Sequence, residues 1–498
     1  MGIVIRQGIW NTAILFAGIG IGFVNEFLLL RNFLAEDQVG LIKILIQASM
    51  LLVQLAALGG VNTVLRFFPF YRDRDKQHGG FLFGILGIGA AGLAVVGLGM
   101  VLFQDQLEAR YALRSPLFST YAYLLYPLVV FTLAFTLLEA YAKSNFRTIA
   151  PAFIQQVVLR LLISLLIAAY VWGWLDDRGF YYAFTAANCL TAGMLLYWLW
   201  RNGDLRLQPR RSFFQWASLR GMLGFGFLTM LSAFSARFYT SIDSLMLGDQ
   251  IGLSAVAIYL TGSYLASVIM APGQSLMRVA SPLVANHWKT GDMGAMGLLY
   301  RQISNNNFLL CAGMYLLVFA GSSALFTLIP AVYQGAITVF LILGAARIID
   351  MATGLNGVIM ITSRFHYTVF ASNLITGVIA VLTNVWLIPR YGIQGAAMAT
   401  AITILTSNGL RVLFVGFVFG LWPFGWRTAW LALLTASTGM TVWGLSEALP
   451  IAWSPWISSP LLVVVVVVLF GGIALGTRLS PDLNAMLERQ WKQLRGIR

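Results

Sequence analysis

Charge is what this sequence has least of. Asp, Glu, Lys and Arg together make up 10% of the 498 residues, and hydrophobic residues make up 59%. A soluble domain carries roughly 25% charged residues. So few charges cannot cover the water-facing surface of a 54.7 kDa body. One very large soluble core is excluded as well, because cores stop growing at roughly 250–300 residues. The chain reads as a polytopic membrane protein.

Other absences narrow the function. No G-x-x-x-x-G-K-[ST] stretch is present, so nothing cradles the phosphates of ATP. No H-E-x-x-H or Cys/His cluster supports metal hydrolysis. There are two cysteines, Cys189 and Cys311, each inside an apolar run, and they read as small packing residues rather than a disulfide or metal pair. His78, His287 and His366 fall in loops without ligand spacing. The first apolar run, from near Trp10, lacks a small-residue cleavage site and reads as a retained span. The longest predicted outward loop, about Gln104 to Phe118, holds Asp105, Glu108 and Arg110 but is short for a glycan polymerase or transferase. The reading is a non-enzyme that needs no cofactor.

What the sequence does have is apolar runs. A span needs roughly 20 mostly apolar residues. By that rule fourteen helices are expected, centred near residues 20, 53, 92, 130, 163, 190, 232, 268, 312, 345, 377, 406, 436 and 467. The seventh, which carries several polar residues, and the tenth fit the rule least well. The eighth, about Leu253 to Val284, should bend at Pro272-Gly273, where proline removes a backbone donor. No run alternates as a barrel strand does, so the expected class is an all-α membrane protein.

The net charge of +14 sits in short loops between these runs, which points away from nucleic acid and toward the excess of Lys and Arg on inward loops. With the N-terminus in the cytoplasm, inward loops hold Arg66, Arg72, Arg74, Lys76, Lys143, Arg147, Arg201, Arg206, Arg210, Arg211, Arg220, Lys289, Arg301, Arg364 and Arg427. Outward loops keep Arg110, Arg114, Arg178 and Arg390, so both termini are expected in the cytoplasm. Two basic amphipathic stretches, 210–220 and the tail 480–498, suit helices lying on an anionic leaflet; an ordinary linker and tail would read similarly.

A short echo organises the chain. "DQVGL" begins at Asp37 and "DQIGL" at Asp249, 212 positions later. Pro69 and Pro282 close the second and eighth spans 213 apart, and Gly179 and Gly392 lie in matching outward turns 213 apart. Two six-helix bundles are therefore expected, 1–205 and 206–420, followed by two added helices in 421–479 and the tail 480–498. An even number of spans per bundle makes them parallel repeats with pseudo-twofold symmetry, an architecture of secondary transporters with a site between the halves.

Ionisable residues inside spans are costly and usually face an interior. Those expected here are Glu26, Arg31, Lys43, Glu139, Arg160, Arg237, Asp243, Arg278, Arg347 and Asp350. Glu139 with Lys143, and Arg347 with Asp350, have helical pair spacing and could simply neutralise each other; Arg160 could snorkel. By the repeat, Arg31 corresponds to Asp243 and Arg66 to Arg278, each 212 apart. One expectation is an outer gate of Arg31 with Asp243, an inner cationic mouth of Arg66 and Arg278, and Arg237 deeper, opposed by Glu26. Arg66 and Arg278 fit the plain inward excess of positive charge equally well. An arginine fork holds phosphate oxygens well when shielded from water. Candidate cavity residues are thus Arg237, Arg278, Arg66, Lys43 and Arg347. Gating or ion coupling falls to Arg31, Asp243, Glu26 and Asp350, with Pro272 and Gly273 as hinge.

The stretch "SIDSLMLGDQIGLSAVAIYLTGSYLASVIMAPGQSLMRVASPLVANHW" (241–288) resembles the matching region of polysaccharide flippases of the multidrug/oligosaccharidyl-lipid/polysaccharide exporter superfamily. "GLIKILIQASMLLVQLAALGGVNTVLRFFPFY" and "IPRYGIQGAAMAT" are similar to its N-terminal region and its glycine-rich outer turn. The resemblance implies two six-helix bundles alternating between inward-open and outward-open states. It implies transfer of an undecaprenyl-diphosphate-linked oligosaccharide, such as an O-antigen or capsule unit, across a bacterial inner membrane. Its implied partners are that lipid-linked substrate, membrane lipids and other polysaccharide-assembly proteins, with no nucleic acid. A lipid II flippase, whose last two spans form a groove for the lipid tail, and a multidrug/cation antiporter are the alternatives within the superfamily.

Overall fold

The computed structural model describes residues 2–71, 80–205, 207–208, 216–365, 367–449, 453–477, 479 and 484. The basic loop with Arg72, Arg74, Lys76 and His78 lies outside these residues, as do Arg206, Arg210, Arg211, His366, Arg478 and, apart from Asn484, the tail 480–498. Among the described residues every regular element is helical, as the lipid-driven argument requires. The chain forms two compact units, Met1–Ala257 and Ile258–Arg498.

In the first unit, α1 (Gly2–Phe23) passes through a wide π turn, Val24–Leu29, to end at Phe33. Then come α2 (Glu36–Ala56), α3 (Gly60–Tyr71), α4 (Phe81–Leu102), the short α5 (Gln104–Ala112) and α6 (Leu125–Ser144). A second π turn, Ile154–Val158, leads into α7 (Leu159–Val171), followed by α8 (Asp177–Arg201) and α9 (Trp216–Gln250). Asp176 starts α8 by accepting a hydrogen bond from the Gly179 backbone N–H at 2.8 Å. Helices gain little in lipid from hiding apolar surface from each other, so their contacts rest on close packing. Phe68 meets Phe81 and Tyr141 edge to face, with centroids 5.5 and 5.1 Å apart. Such pairs contribute about 0.5–1.5 kcal/mol each beyond area burial. The Tyr141 hydroxyl then donates to the Asp204 carbonyl at 2.9 Å, tying α6 to the end of α8.

The long α9 packs along α2, so the compact unit extends past the repeat boundary at 205/206. Glycine also lets α2 approach Leu253, just past the end of α9. A Cβ on Gly40 would fall 2.1 Å from the Leu253 carbonyl oxygen, so the two copies of the pentapeptide echo touch each other.

The second unit holds most of α10 (Leu253–Val268), then α11 (Ala271–Thr290), α12 (Met293–Thr327), α13 (Gly335–Ala352) and α14 (Leu355–Thr362). It closes with α15 (Tyr367–Phe419), α16 (Trp426–Ala448) and α17 (Pro455–Val466), the last extended by a π turn, Val467–Gly471, and Gly472–Gly476. α12 is central to its packing, lying against α11, α13, α16 and α17.

Among the described residues, ten helices are long and apolar enough to cross a membrane, and eleven if the bent pair α10–α11 counts as one. Fourteen spans are therefore not reached on length and apolarity alone. The difference lies in three places. α8 and α16 are 25 and 23 residues long but too polar for that criterion. α15 is 53 residues, about 80 Å at 1.5 Å per residue, against a hydrocarbon core of about 30 Å. It contains two segments joined at Gly392, whose φ of 58° and ψ of −130° are not helical. The seventh and tenth expected spans are both present, as Leu219–Gln250 and Ala331–Ala352.

The expected bend in the eighth span is there, at 51°. It falls just before the proline, between Val268 and Ala271, and Pro272 occupies the first turn of α11, where a missing N–H is harmless. The corresponding break between α2 and α3, at Ala57–Gly59, lies 212 positions earlier, so the interruption belongs to the repeat and does not depend on proline. Pro272→Ala should accordingly change stability by less than about 1 kcal/mol. Gly273→Leu should destabilise by about 1–3 kcal/mol through overpacking, since a Cβ there already meets Cys311 Sγ and Met351 Sδ at 3.2 Å. Thermal unfolding in detergent checks the pair.

Candidate functional site

The first unit gathers ionisable groups where its first π turn packs against α7, just beyond the second π turn. Such wide turns recur at functional positions because they re-aim side chains within an otherwise regular helix. Asn25 donates from Nδ2 to the Arg160 carbonyl at 2.6 Å, and Ser164 Oγ donates to Asn25 Oδ1 at 2.6 Å. Arg160 Nη1 donates to the Gly18 carbonyl, and a Cβ on Gly22 would collide with its guanidinium. Glu26, on the first π turn, forms an ion pair with Lys43 of α2, with side-chain exposures of 28% and 21%. Arg31 and Arg160 add further positive charge around Glu26.

The expected opposition of Glu26 and Arg237 is therefore corrected. Glu26 takes Lys43, while Arg237 of α9 reaches α2 elsewhere. Its Nη2 donates to Gln47 Oε1 and approaches Met50 Sδ, both at 2.8 Å, and Ser241 Oγ also donates to Gln47 at 3.1 Å. Arg237 Nε is buried without a hydrogen-bond partner among the described residues, and Asp243 lies close enough to act on it electrostatically. Arg31 and Asp243 are both buried, at 2% and 5% exposure. Arg66 is exposed and sits over the Phe225 ring at 4.3 Å.

At the other end of α9, the loop helix α5 clasps the second pentapeptide copy. Arg110 makes a forked pair with Asp249 at 2.8 and 2.7 Å, rather than joining Asp105 or Glu108. Tyr111 donates to the Leu245 carbonyl at 2.9 Å, and burial together with Asp249 pushes its phenol well above the usual range. Gly252, at φ +135°, admits the Arg114 carbonyl next to it.

The second unit has its own polar cluster on α13. Arg347 pairs with Asp350 at 3.3 Å, the neutralisation its spacing suggested. Asp350 also accepts from Asn408 Nδ2 at 2.8 Å, and Asn408 Oδ1 accepts from Thr353 at 2.7 Å and Asn356 at 3.2 Å. Asn307 Nδ2 donates to the Met351 carbonyl at 3.0 Å beside Gly273, which places the break of the eighth span against α12 and α13. Arg278 is exposed on α11, its Nε directed to the Gln274 carbonyl at 3.4 Å. Glu139 and Lys143 pair at 2.8 Å as their spacing suggested.

A scan for charges in spans missed the neutral partners Gln47, Asn25, Asn307 and Asn408. It also missed Arg411, whose Nη2 donates to Asn373 at 2.8 Å. The available signal was any amide inside an apolar run, since an amide in lipid needs a partner almost as much as a charge does.

The sequence profile of the family described as "Polysaccharide biosynthesis protein" matches residues 4–285. No curated protein matches the chain in sequence. Among solved structures, the inward-closed lipid II flippase MurJ aligns with a TM-score of 0.72 at 11% identity, over 93% of this chain and 98% of its own. An inward-facing multidrug resistance MATE family transporter of the MOP superfamily aligns at 0.64 and 15% identity, over 82% and 94%. A MOP superfamily transporter from Pyrococcus furiosus aligns at 0.55 and 13%, over 83% and 95%. At such identities the likeness is one of fold. The profile match covers more than half of the sequence, and on that ground the chain is a multi-pass helical membrane protein that belongs to the polysaccharide biosynthesis protein family.

Proposed function

We propose that this protein is a flippase that carries an undecaprenyl-diphosphate-linked oligosaccharide, such as an O-antigen or capsule unit, across the bacterial inner membrane by alternating access. The observation that carries the reading is Arg237. Its guanidinium lies within a candidate membrane span, half-buried, and among the described residues its Nε has no hydrogen-bond partner and Nη2 has only neutral acceptors. A guanidinium held this way keeps capacity for phosphate oxygens, which it binds as a planar fork. Lys43, Arg66, Arg278 and Arg347 are the further candidate contacts. Lys43 and Arg347 are already paired with carboxylates, so an arriving diphosphate would compete with Glu26 and Asp350. Those carboxylates, with Arg31 and Asp243, are the proposed gating or ion-coupling groups, and Pro272-Gly273 marks the proposed hinge.

Deleting the gene should leave one lipid-linked sugar on the cytoplasmic leaflet, identified by extraction and mass spectrometry. Restoring the gene should clear it. Arg237→Ala should restore flipping roughly ten- to a hundredfold less well, the loss expected for hydrogen bonds to a charged group. Full activity in Arg237→Ala would remove that residue from the site, and absence of any accumulated polyprenyl-linked sugar would remove the function. A lipid II flippase is the second reading, favoured by the near-complete fold match to MurJ; accumulation of lipid II in the deletion strain would select it. A multidrug/cation antiporter, favoured by the MATE-type match, would instead show transport of organic cations.

A further inference from the structure

A pocket of about 280 Å³ opens in the second unit where α12 and α16 begin, and the transport reading makes no use of it. Its size is near the lower end of small-ligand pockets, roughly 300–1,000 Å³. Two guanidiniums line it, Arg301 from the third turn of α12 and Arg427 from the first turn of α16, together with Gln302, Asn305 and Trp426. No carboxylate is among its lining residues.

Each polar group is positioned but not used up. Arg301 Nε donates to the Trp422 carbonyl at 3.3 Å, which fixes the guanidinium and leaves its other donors available to a ligand. Arg427 lies 5.5 Å over the Trp426 ring, and its buried Nε has no hydrogen-bond partner among the described residues. The Asn305 carbonyl oxygen accepts from Thr428 Oγ1 at 2.7 Å, so its NH2 is the group Asn305 can offer. Donors with no carboxylate beside them form a receptor for an anion. Planar forks in particular match the tetrahedral oxygens of phosphate.

The surroundings indicate where that phosphate comes from. Trp422, Phe424, Trp426 and Trp430 are all exposed at this end of α16. Exposed tryptophans beside arginines mark the headgroup level of a bilayer, and both arginines lie near helix starts that the charge bias assigns to the cytoplasmic side. We propose that Arg301 and Arg427 form a binding site for a phosphate group, supplied foremost by an anionic phospholipid of the inner leaflet. The proposal does not rest on the identity of the transported cargo.

The test uses the full-length protein in detergent, with its melting temperature followed against three probes. Dihexanoyl phosphatidylglycerol should raise it saturably, and dihexanoyl phosphatidylcholine should not. Inorganic phosphate raising it as effectively as the lipid would assign the site to soluble phosphate; a much weaker response would assign it to lipid. The R301Q/R427Q variant should lose roughly tenfold or more in apparent affinity. R301K/R427K should lose less, and K289Q, a basic change outside the pocket, should lose nothing. Equal binding by the unaltered protein and R301Q/R427Q would overturn the site. If that variant does not fold, the unaltered protein still decides: no preference for phosphatidylglycerol over phosphatidylcholine, and no response to phosphate, would refute it.

Discussion

Glu26→Gln is expected to destabilise the protein by about 3–5 kcal/mol, the range for removing one partner of an enclosed ion pair. The reason is what stays behind. Lys43 lies on α2 within a span, with only 21% of its side chain exposed, and Arg31 and Arg160 are close by. Without the carboxylate, three cationic groups face one another with little water to screen them. Lys43→Met alone strands the Glu26 charge, although Arg31 and Arg160 still oppose it, so its effect should be the smaller. The double variant, Glu26→Gln with Lys43→Met, should recover much of the loss, because replacing a whole buried pair by apolar groups is often neutral. Melting temperatures of the three variants in one detergent decide the matter; a double variant no better than Glu26→Gln would mean that the pair is not what holds these helices. Flipping measured on the stable double variant separates two roles. Retained transport would make the pair a strut between α1 and α2, and lost transport would give it a part in gating.

The fold was largely legible because the bilayer imposes a simple rule, that long apolar runs become helices. Even the bent eighth span and its 51° break were readable at the level of an element. The cause of the bend was less so. Proline is the visible signal, yet the break repeats at Ala57–Gly59, where Leu58 takes φ 46° and Gly59 φ 74° without any proline. Span number is not settled by length and apolarity at α8 and α16, where the two part company. The candidate site was legible in its charges and not in its pairings. Sequence spacing found the local pairs Glu139–Lys143 and Arg347–Asp350, because three or four residues along a helix fix the distance. It could not find Glu26 with Lys43 or Arg110 with Asp249, where the distance depends on how separate helices pack. Gln47 shows the same limit: nothing in its neighbours along the chain says that it will hold Arg237, 190 positions away.

Gly59→Ala is expected to be the other large effect, about 2–5 kcal/mol. Two terms add: about 1–2 kcal/mol for a Cβ at a left-handed backbone position, and about 1–3 kcal/mol for overpacking. Gly59 has φ +74°, and a Cβ there would lie 1.9 Å from the Gly226 carbonyl oxygen of α9. The neighbour is backbone, so it cannot turn aside as the end of a long side chain would. The contact is also reciprocal, since a Cβ on Gly226 would approach the Leu58 carbonyl oxygen to 2.7 Å. Gly226→Ala should therefore destabilise less, lacking the conformational term and with more room. Gly99→Ala is the control, having nothing within 4 Å; it should be neutral or slightly stabilising, because alanine is the better helix former by about 1 kcal/mol. The expected order of melting temperatures is Gly99→Ala highest, then Gly226→Ala, then Gly59→Ala. The consequence for transport follows from where this contact sits. α9 reaches the interruption between α2 and α3 and carries Arg237, so a Cβ at Gly59 that pushes α9 outward also shifts Arg237 from Gln47. Gly59→Ala should then lower flipping even at a temperature where the protein stays folded, while Gly99→Ala should not. If Gly59→Ala melted and flipped like Gly99→Ala, the close approach of α9 to the helix break would not be a feature of the working protein.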